Sequence, residues 1–206
     1  EYDRAIRLDP KEPQYYLDRG KAYMESGKRD IRDRLPRAVK DFTYVIDSGP
    51  VDVEVIRLRA VVYSFLNDHQ NAIIDYTRII KVDPEDVEAL AKRGDIYKEL
   101  GEHEKAVVDY SWVIKIDPED IDALAKRVDV YEEMGERQKA VLDYTAIIKV
   151  YPEEMVALAR RGDSYAELGE HQKAVVDYTK VIGDRPGRFN VLSKRGDSYA
   201  ELGEHQ

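Results

Sequence analysis

Arginine and aspartate recur in this 206-residue chain at regular spacings. Arg59, Arg93, Arg127, Arg161 and Arg195 stand 34 residues apart, with Arg19 ahead of them. Asp75, Asp109, Asp143 and Asp177 each follow an arginine by 16 residues, and Asp41 follows Arg19 by 22. Two chemistries suit such a set. A ladder of open guanidinium groups would capture anions, whereas a guanidinium facing a carboxylate makes two parallel N–H···O bonds and is architecture. Because each aspartate has its arginine, Arg19–Asp41, Arg59–Asp75, Arg93–Asp109, Arg127–Asp143 and Arg161–Asp177 are expected as structural ion pairs. Such pairs often set register more than they stabilise, since desolvation offsets much of the attraction.

Other reactive residue types follow the same period. His69, His103, His171 and His205 all occupy one position of it, in a predicted turn between helices. Stacked helix layers are about 10 Å apart, and zinc needs its ligands at about 2 Å. Turn packing is therefore expected, with no metal and no cofactor. Arg-Gly-Asp at 93–95, 161–163 and 195–197 falls inside a predicted helix, not on an adhesive loop. The chain has no cysteine, hence no thiol nucleophile, thiolate metal site or disulfide. No serine–histidine–acid set or paired carboxylates stand apart from the repeat. The chain is not expected to be an enzyme.

A repeated unit carries these residues. Pro50, Pro84, Pro118, Pro152 and Pro186 are each 34 residues apart, a period that marks a repeat array. Positions are numbered here with Val87 at 1 and Pro118 at 32. Residues 1–12 are the second half of a unit, 13–52 a unit with six extra residues, and 53–86, 87–120, 121–154 and 155–188 units of 34. Residues 189–206 are a first half. In the unit at 87, Val87, Ala89, Leu90, Gly94, Ile96, Tyr97 and Leu100 trace one helical face. Gly101 suits a helix C-terminus. Ala106, Val107, Tyr110, Val113, Ile114 and Ile116 trace a second helix, which Asp117-Pro118 ends. Position 8 is small nearly throughout (Gly20, Ala60, Gly94, Gly162, Gly196) although a mid-helix glycine costs about 1 kcal/mol. Close approach to the alanine at position 20 of the facing helix is expected there. Eleven of fifteen tyrosines fall at positions 11 and 24, where they read as packing residues with a polar tip.

This pattern resembles the tetratricopeptide repeat family. Positions 4, 8, 11, 20, 24 and 32 match nearly throughout. Position 27 departs, with Val45, Ile79, Val113, Ile147 and Val181, and position 8 departs at Val128, where wider helix spacing is expected. The resemblance implies an all-α, right-handed superhelical solenoid of helix-turn-helix repeats, whose first helices line a concave peptide-binding groove through positions 2, 5, 9, 12 and 13. From the third complete unit those positions carry Asp95, Asp129 and Asp163, then Glu99, Glu133 and Glu167. Ala91, Ala125 and Ala159 leave room beside them. Lys92, Lys126, Arg160 and Lys194, three residues before each aspartate, would make a neutralised, solvated face instead. Family members that grip a chaperone's terminal carboxylate use lysine at position 5 and asparagine at 6 and 9, and that clamp is absent. The first two complete units carry Leu17, Met24, Val61 and Phe65 in the groove, an apolar patch and a further binding candidate. Beside it, Lys28–Arg37 replaces a short turn, and is expected to lengthen the first helix, with Pro36 opening the second.

The net charge of −9 argues against nucleic acid and permits a basic partner. No apolar stretch is long enough to span a bilayer and no leader pattern is present, so no membrane contact and a cytoplasmic location are expected. The expected function is a protein–protein interaction scaffold holding a basic or amphipathic segment in its groove. The alternative is a self-assembling array, stacked head to tail through residues 1–12 and 189–206.

Overall fold

The computed structural model describes residues 1–25, 31–50, 52–183 and 189–203. It divides into two compact units, Glu1–Leu100 and Gly101–Gln206. The first holds α1 (Tyr2–Leu8), α2 (Pro13–Glu25), α3 (Ile31–Ser48), α4 (Val53–Phe65), α5 (His69–Val82) and α6 (Val87–Glu99). The second holds α7 (His103–Ile116), α8 (Ile121–Glu133), α9 (Arg137–Val150), α10 (Met155–Glu167), α11 (His171–Ile182) and α12 (Phe189–Glu201). No strand occurs among the described residues, and no helix there is long and apolar enough to cross a membrane.

Within each unit every helix packs on the next along the chain. Helix ends follow from local chemistry. Asp52, Asp86 and Asp120 accept N–H bonds from the first turns of α4, α6 and α8, satisfying donors that have no intrahelical partner. Gly135 and Gly169, with φ of 72° and 74°, turn the chain after α8 and α10, and Asn67 does the same after α4 at φ 56°.

The core of the first unit gathers Phe42, Ile46, Ile56, Ala60, Tyr76 and Ile79; that of the second gathers Leu124, Val128, Tyr144, Ile147 and Leu158. At Gly20 and Gly162, the nearest neighbour at position 8 is the aromatic of position 24, ahead of the alanine at position 20. A Cβ on Gly20 would stand 2.6 Å from the Phe42 ring, and one on Gly162 would stand 2.7 Å from the Tyr178 ring. The glycine makes room for the aromatic of position 24, which is the bulkier neighbour.

The inserted segment also differs from expectation. Residues 26–30, on which the expected lengthening of the first helix falls, lie outside the described set, but α3 begins at Ile31 and runs through Pro36, which therefore does not open it. This second helix is 18 residues long, against 14 for α5, α7 and α9. Pro36 sits inside it and cannot donate to the Arg32 carbonyl.

Candidate partner-binding groove

At Arg19, Arg59, Arg127 and Arg161, the arginine of position 7 joins the two helices of its repeat. Arg19 donates through Nε and Nη2 to both oxygens of Asp41 at 2.8 and 2.6 Å. Arg59 holds Asp75, Arg127 holds Asp143 and Arg161 holds Asp177 in the same bidentate way, at 2.6–2.8 Å. These aspartates are at most 4% exposed. Their charges are compensated in place, which removes them from the list of anion-capture or catalytic candidates. Arg93 and Asp109 belong to different units.

Sequence reasoning missed the third arm. Arg59 Nη1 donates to Thr43, Arg93 to Thr77, Arg127 to Ser111 and Arg161 to Thr145, at 2.8–3.1 Å. Those hydroxyls belong to position 25 of the preceding repeat, and Asp3 takes the role for Arg19. Thr43 and Thr145 meanwhile donate to the Val39 and Val141 carbonyls, so each hydroxyl is used twice. The signal was visible: position 25 is Thr or Ser in every complete unit. Arg19, Arg59, Arg127 and Arg161 therefore each fasten their own helix pair and tie it to the helix before. Arg127 also lies over the tyrosine one turn on, Tyr131, at 5.7 Å.

His69 and His103 begin second helices and face a position-13 glutamate of the next repeat: His69 Nδ1 stands 3.8 Å from Glu99, and His103 Nδ1 3.5 Å from Glu133, while His205 lies outside the described residues. Arg137, at the same position, pairs with Glu167. Among the described residues no group of side chains is arranged to hold a metal ion.

In the first unit, Leu17 and Met24 are half-buried against the core, as are Leu58 and Leu66. Val61 is half-buried too, while Phe65 is 70% exposed. The apolar candidates are therefore a single projecting ring with largely covered neighbours. Asp95 is half-buried and Glu99 exposed. Arg57, at position 5, pairs with Asp86, Glu54 and Glu88 on the same face.

The second unit carries three hollows, each sharing lining residues with the next. Its first hollow, of about 410 Å³, lies among α8, α9 and α10, lined by Ile121, Ala125, Val128, Asp129, Glu132, Tyr144, Ile147, Tyr151, Glu154, Val156, Ala157 and Arg160. A second, of about 280 Å³, shares Glu132 and Arg160 with it and adds Glu133, Arg137, Asp163 and Glu167. A third of similar size continues from Asp163 and Glu167 to His171, Tyr178, Lys194, Asp197 and Glu201. Along this run eight carboxylates face Arg137, Arg160 and Lys194. The groove thus combines small side chains, an apolar floor at one end and an excess of negative charge.

The basic residues of position 6 do not simply neutralise their own helix. Lys194 reaches back to Asp163 of the preceding repeat at 2.7 Å, and Arg160 to Glu132 at 3.5 Å, while Lys126 meets Asp122 at 2.9 Å. Tyrosine hydroxyls join from below: Tyr178 donates to Asp163 at 2.8 Å and Tyr144 to Glu132 at 2.6 Å. Burial, then the adjoining carboxylate, pushes both phenols well above their ordinary range. They stay neutral donors that fix the groove carboxylates.

Tetratricopeptide repeat families match residues 58–86, 75–108, 94–135 and 126–189. With the helix pairs and position pattern above, the chain belongs to the tetratricopeptide repeat family, whose repeats serve as protein-interaction scaffolds. Solved structures of similar fold include MamA, at 24% identity over 74% of this chain and 83% of that one, with a TM-score of 0.63. YrrB, a tetratricopeptide repeat protein with an unusual peptide-binding site, matches at 15% identity over 93% and 96%, TM-score 0.68. A tetratricopeptide repeat protein from Parabacteroides merdae ATCC 43184 matches at 19% over 93% and 74%, TM-score 0.68. No curated protein sequence matches the chain.

Proposed function

We propose that the chain binds a basic or amphipathic segment of another protein, with the groove of the second unit as the principal site. The observation that supports this most is the charge imbalance along that groove, eight carboxylates against three basic side chains over three adjoining hollows. Opposite charge on a partner would speed encounter and select against acidic segments. Asp129, Glu133, Asp163 and Glu167 are the contact residues of this reading. Asp95 and Glu99, with Phe65 and the half-buried Leu17, Met24 and Val61, are the corresponding candidates of the first unit.

A rival reading makes the carboxylates fasteners between successive repeats, and the Arg137–Glu167 and Lys194–Asp163 contacts favour it. Under it, the chain is an assembling array, associating through residues 1–12 and 189–206. A charge-reversed variant separates the two. Asp129→Lys, Glu133→Lys and Glu167→Lys together should weaken binding of a fluorescent, lysine-rich amphipathic peptide at least about tenfold. Helix content and sedimentation should be unchanged. Intact binding with a changed sedimentation profile would support the rival.

A further inference from the structure

Three residues depart from what their positions carry in the other units, and the fold brings all three to one place. Position 8 is glycine or alanine except at Val128; position 2 is polar except at Val156; position 31 is Asp, Gly or Arg except at Tyr151. They lie 23 and 5 residues apart in the chain, on α8, at the end of α9 and on α10. All three line the 410 Å³ hollow of the second unit.

Their exposures divide the hollow into floor and mouth. Val128, Ile147 and Tyr144 form an apolar floor, none more than 6% exposed. Val156 and Tyr151 stand at the rim, 65% and 57% exposed, where Asp122 and Asp117 stand in the preceding unit. Asp117 there accepts the Glu119 N–H and so closes its turn, a bond that tyrosine cannot reproduce with its side chain. The exchange gives up a local bond and exposes two apolar groups to water, a combination that fits a contact surface better than a fold requirement. With valine at position 8, the neighbouring ring is also placed differently. Tyr144 gives its hydroxyl to Glu132, whereas Tyr178, opposite Gly162, gives its own to the position-9 carboxylate of Asp163.

We infer that this hollow is an anchor pocket for one large apolar side chain of the bound segment, with lysine or arginine flanking that side chain. This rests on the groove reading above and adds the position and chemistry of the anchor. Charge selects the occupant: three carboxylates, Asp129, Glu132 and Glu154, line the hollow against one arginine, Arg160. An apolar residue among basic neighbours meets both the floor and the rim. A purely apolar segment leaves the net negative charge of the lining unbalanced, and a second copy of this acidic chain brings like charge to it.

The test uses labelled synthetic peptides that place phenylalanine or glycine between paired lysines, plus one with phenylalanine between paired serines. Fluorescence anisotropy reads affinity, and methyl NMR reads Val128, Ile147 and Val156. The lysine–phenylalanine peptide should bind about tenfold more tightly than either other peptide, and should shift those methyls. Returning the rim to ordinary repeat residues, by Tyr151→Asp with Val156→Asp, should erase the preference for phenylalanine over glycine. Melting followed by circular dichroism would check that this variant keeps its fold. Equal binding of the phenylalanine and glycine peptides, without methyl shifts, would overturn the pocket and leave the groove reading standing. Binding of none of the lysine peptides would overturn both. Equal affinity for the serine peptide, or concentration-dependent shifts of the same methyls in the protein alone, would overturn the assigned occupant.

Discussion

Arg127 has its Nε and Nη2 on Asp143, its Nη1 on Ser111, and its plane over Tyr131. One side chain thus serves two repeats. Removing it strands a carboxylate that is 4% exposed. Arg127→Leu should cost about 3–5 kcal/mol, the range for breaking a buried pair from one side. Arg127→Leu with Asp143→Leu should recover a large part of that loss in urea unfolding. If the single and double variants lost equal stability, the pair would not be what the arginine is for. The glycine of position 8 gives a second test at this scale. In an exposed helix, Gly→Ala gains about 1 kcal/mol, but a Cβ at Gly162 meets a Tyr178 ring that is 1% exposed. Gly162→Ala should therefore destabilise, by about 1–3 kcal/mol, as overpacking does. A higher melting temperature would show that the ring moves aside freely.

Helix ends show how one element is held by another. Asp86 caps α6 by accepting the Ala89 N–H at 2.8 Å, and also takes Arg57 of α4. Burial raises its carboxyl, but the Arg57 bond, the Ala89 N–H and the Arg57 charge together outweigh burial and hold it below the ordinary aspartate range. The unfolded chain therefore takes up this proton first as pH falls. The stabilisation is whole at neutral pH, declines below about pH 3.9, and is lost as pH passes through the lower native value. Asp86→Asn keeps a capping side chain and loses the charge pair. It should be less stable than the parent in urea at neutral pH, with the difference narrowing towards about pH 2. A gap that stayed constant would assign the effect to packing.

Helix pairs and the arginine–aspartate pairs were legible because period and residue type coincide: an arginine at position 7 and an aspartate at 23 can meet only across one helix pair. Contacts between successive repeats were harder to read. The hydroxyl of position 25 was as regular as the arginine it binds, but its partner lies in another unit of the pattern. The same holds for His103 with Glu133 and Lys194 with Asp163. The start of α3 was misread because Pro36 looks like a first-turn residue, whereas Leu35, 7% exposed, and residues before it continue the helix upstream. Tyr151 and Val156 were readable as departures, but only the fold shows that they share a hollow with Val128.

For the molecule as a whole, the proposed binding function draws on the acidic residues that recur at positions 9 and 13 and on the departures that shape one hollow. Other regular positions of the repeat build helix pairs and fasten them. The negative excess lies along the groove of the second unit, in a chain whose net charge is −9. Electrostatic capture on such a surface must respond to ionic strength, since about 1 M salt shortens the reach of a charge to about 3 Å. The most direct test is the affinity of a lysine-rich amphipathic peptide measured from about 0.05 to about 0.5 M salt, beside a glutamate-rich peptide of the same apolar pattern. The account predicts that the basic peptide binds and weakens steadily with salt, while the acidic peptide does not bind. Equal binding of the two peptides, or an affinity indifferent to salt, would contradict it.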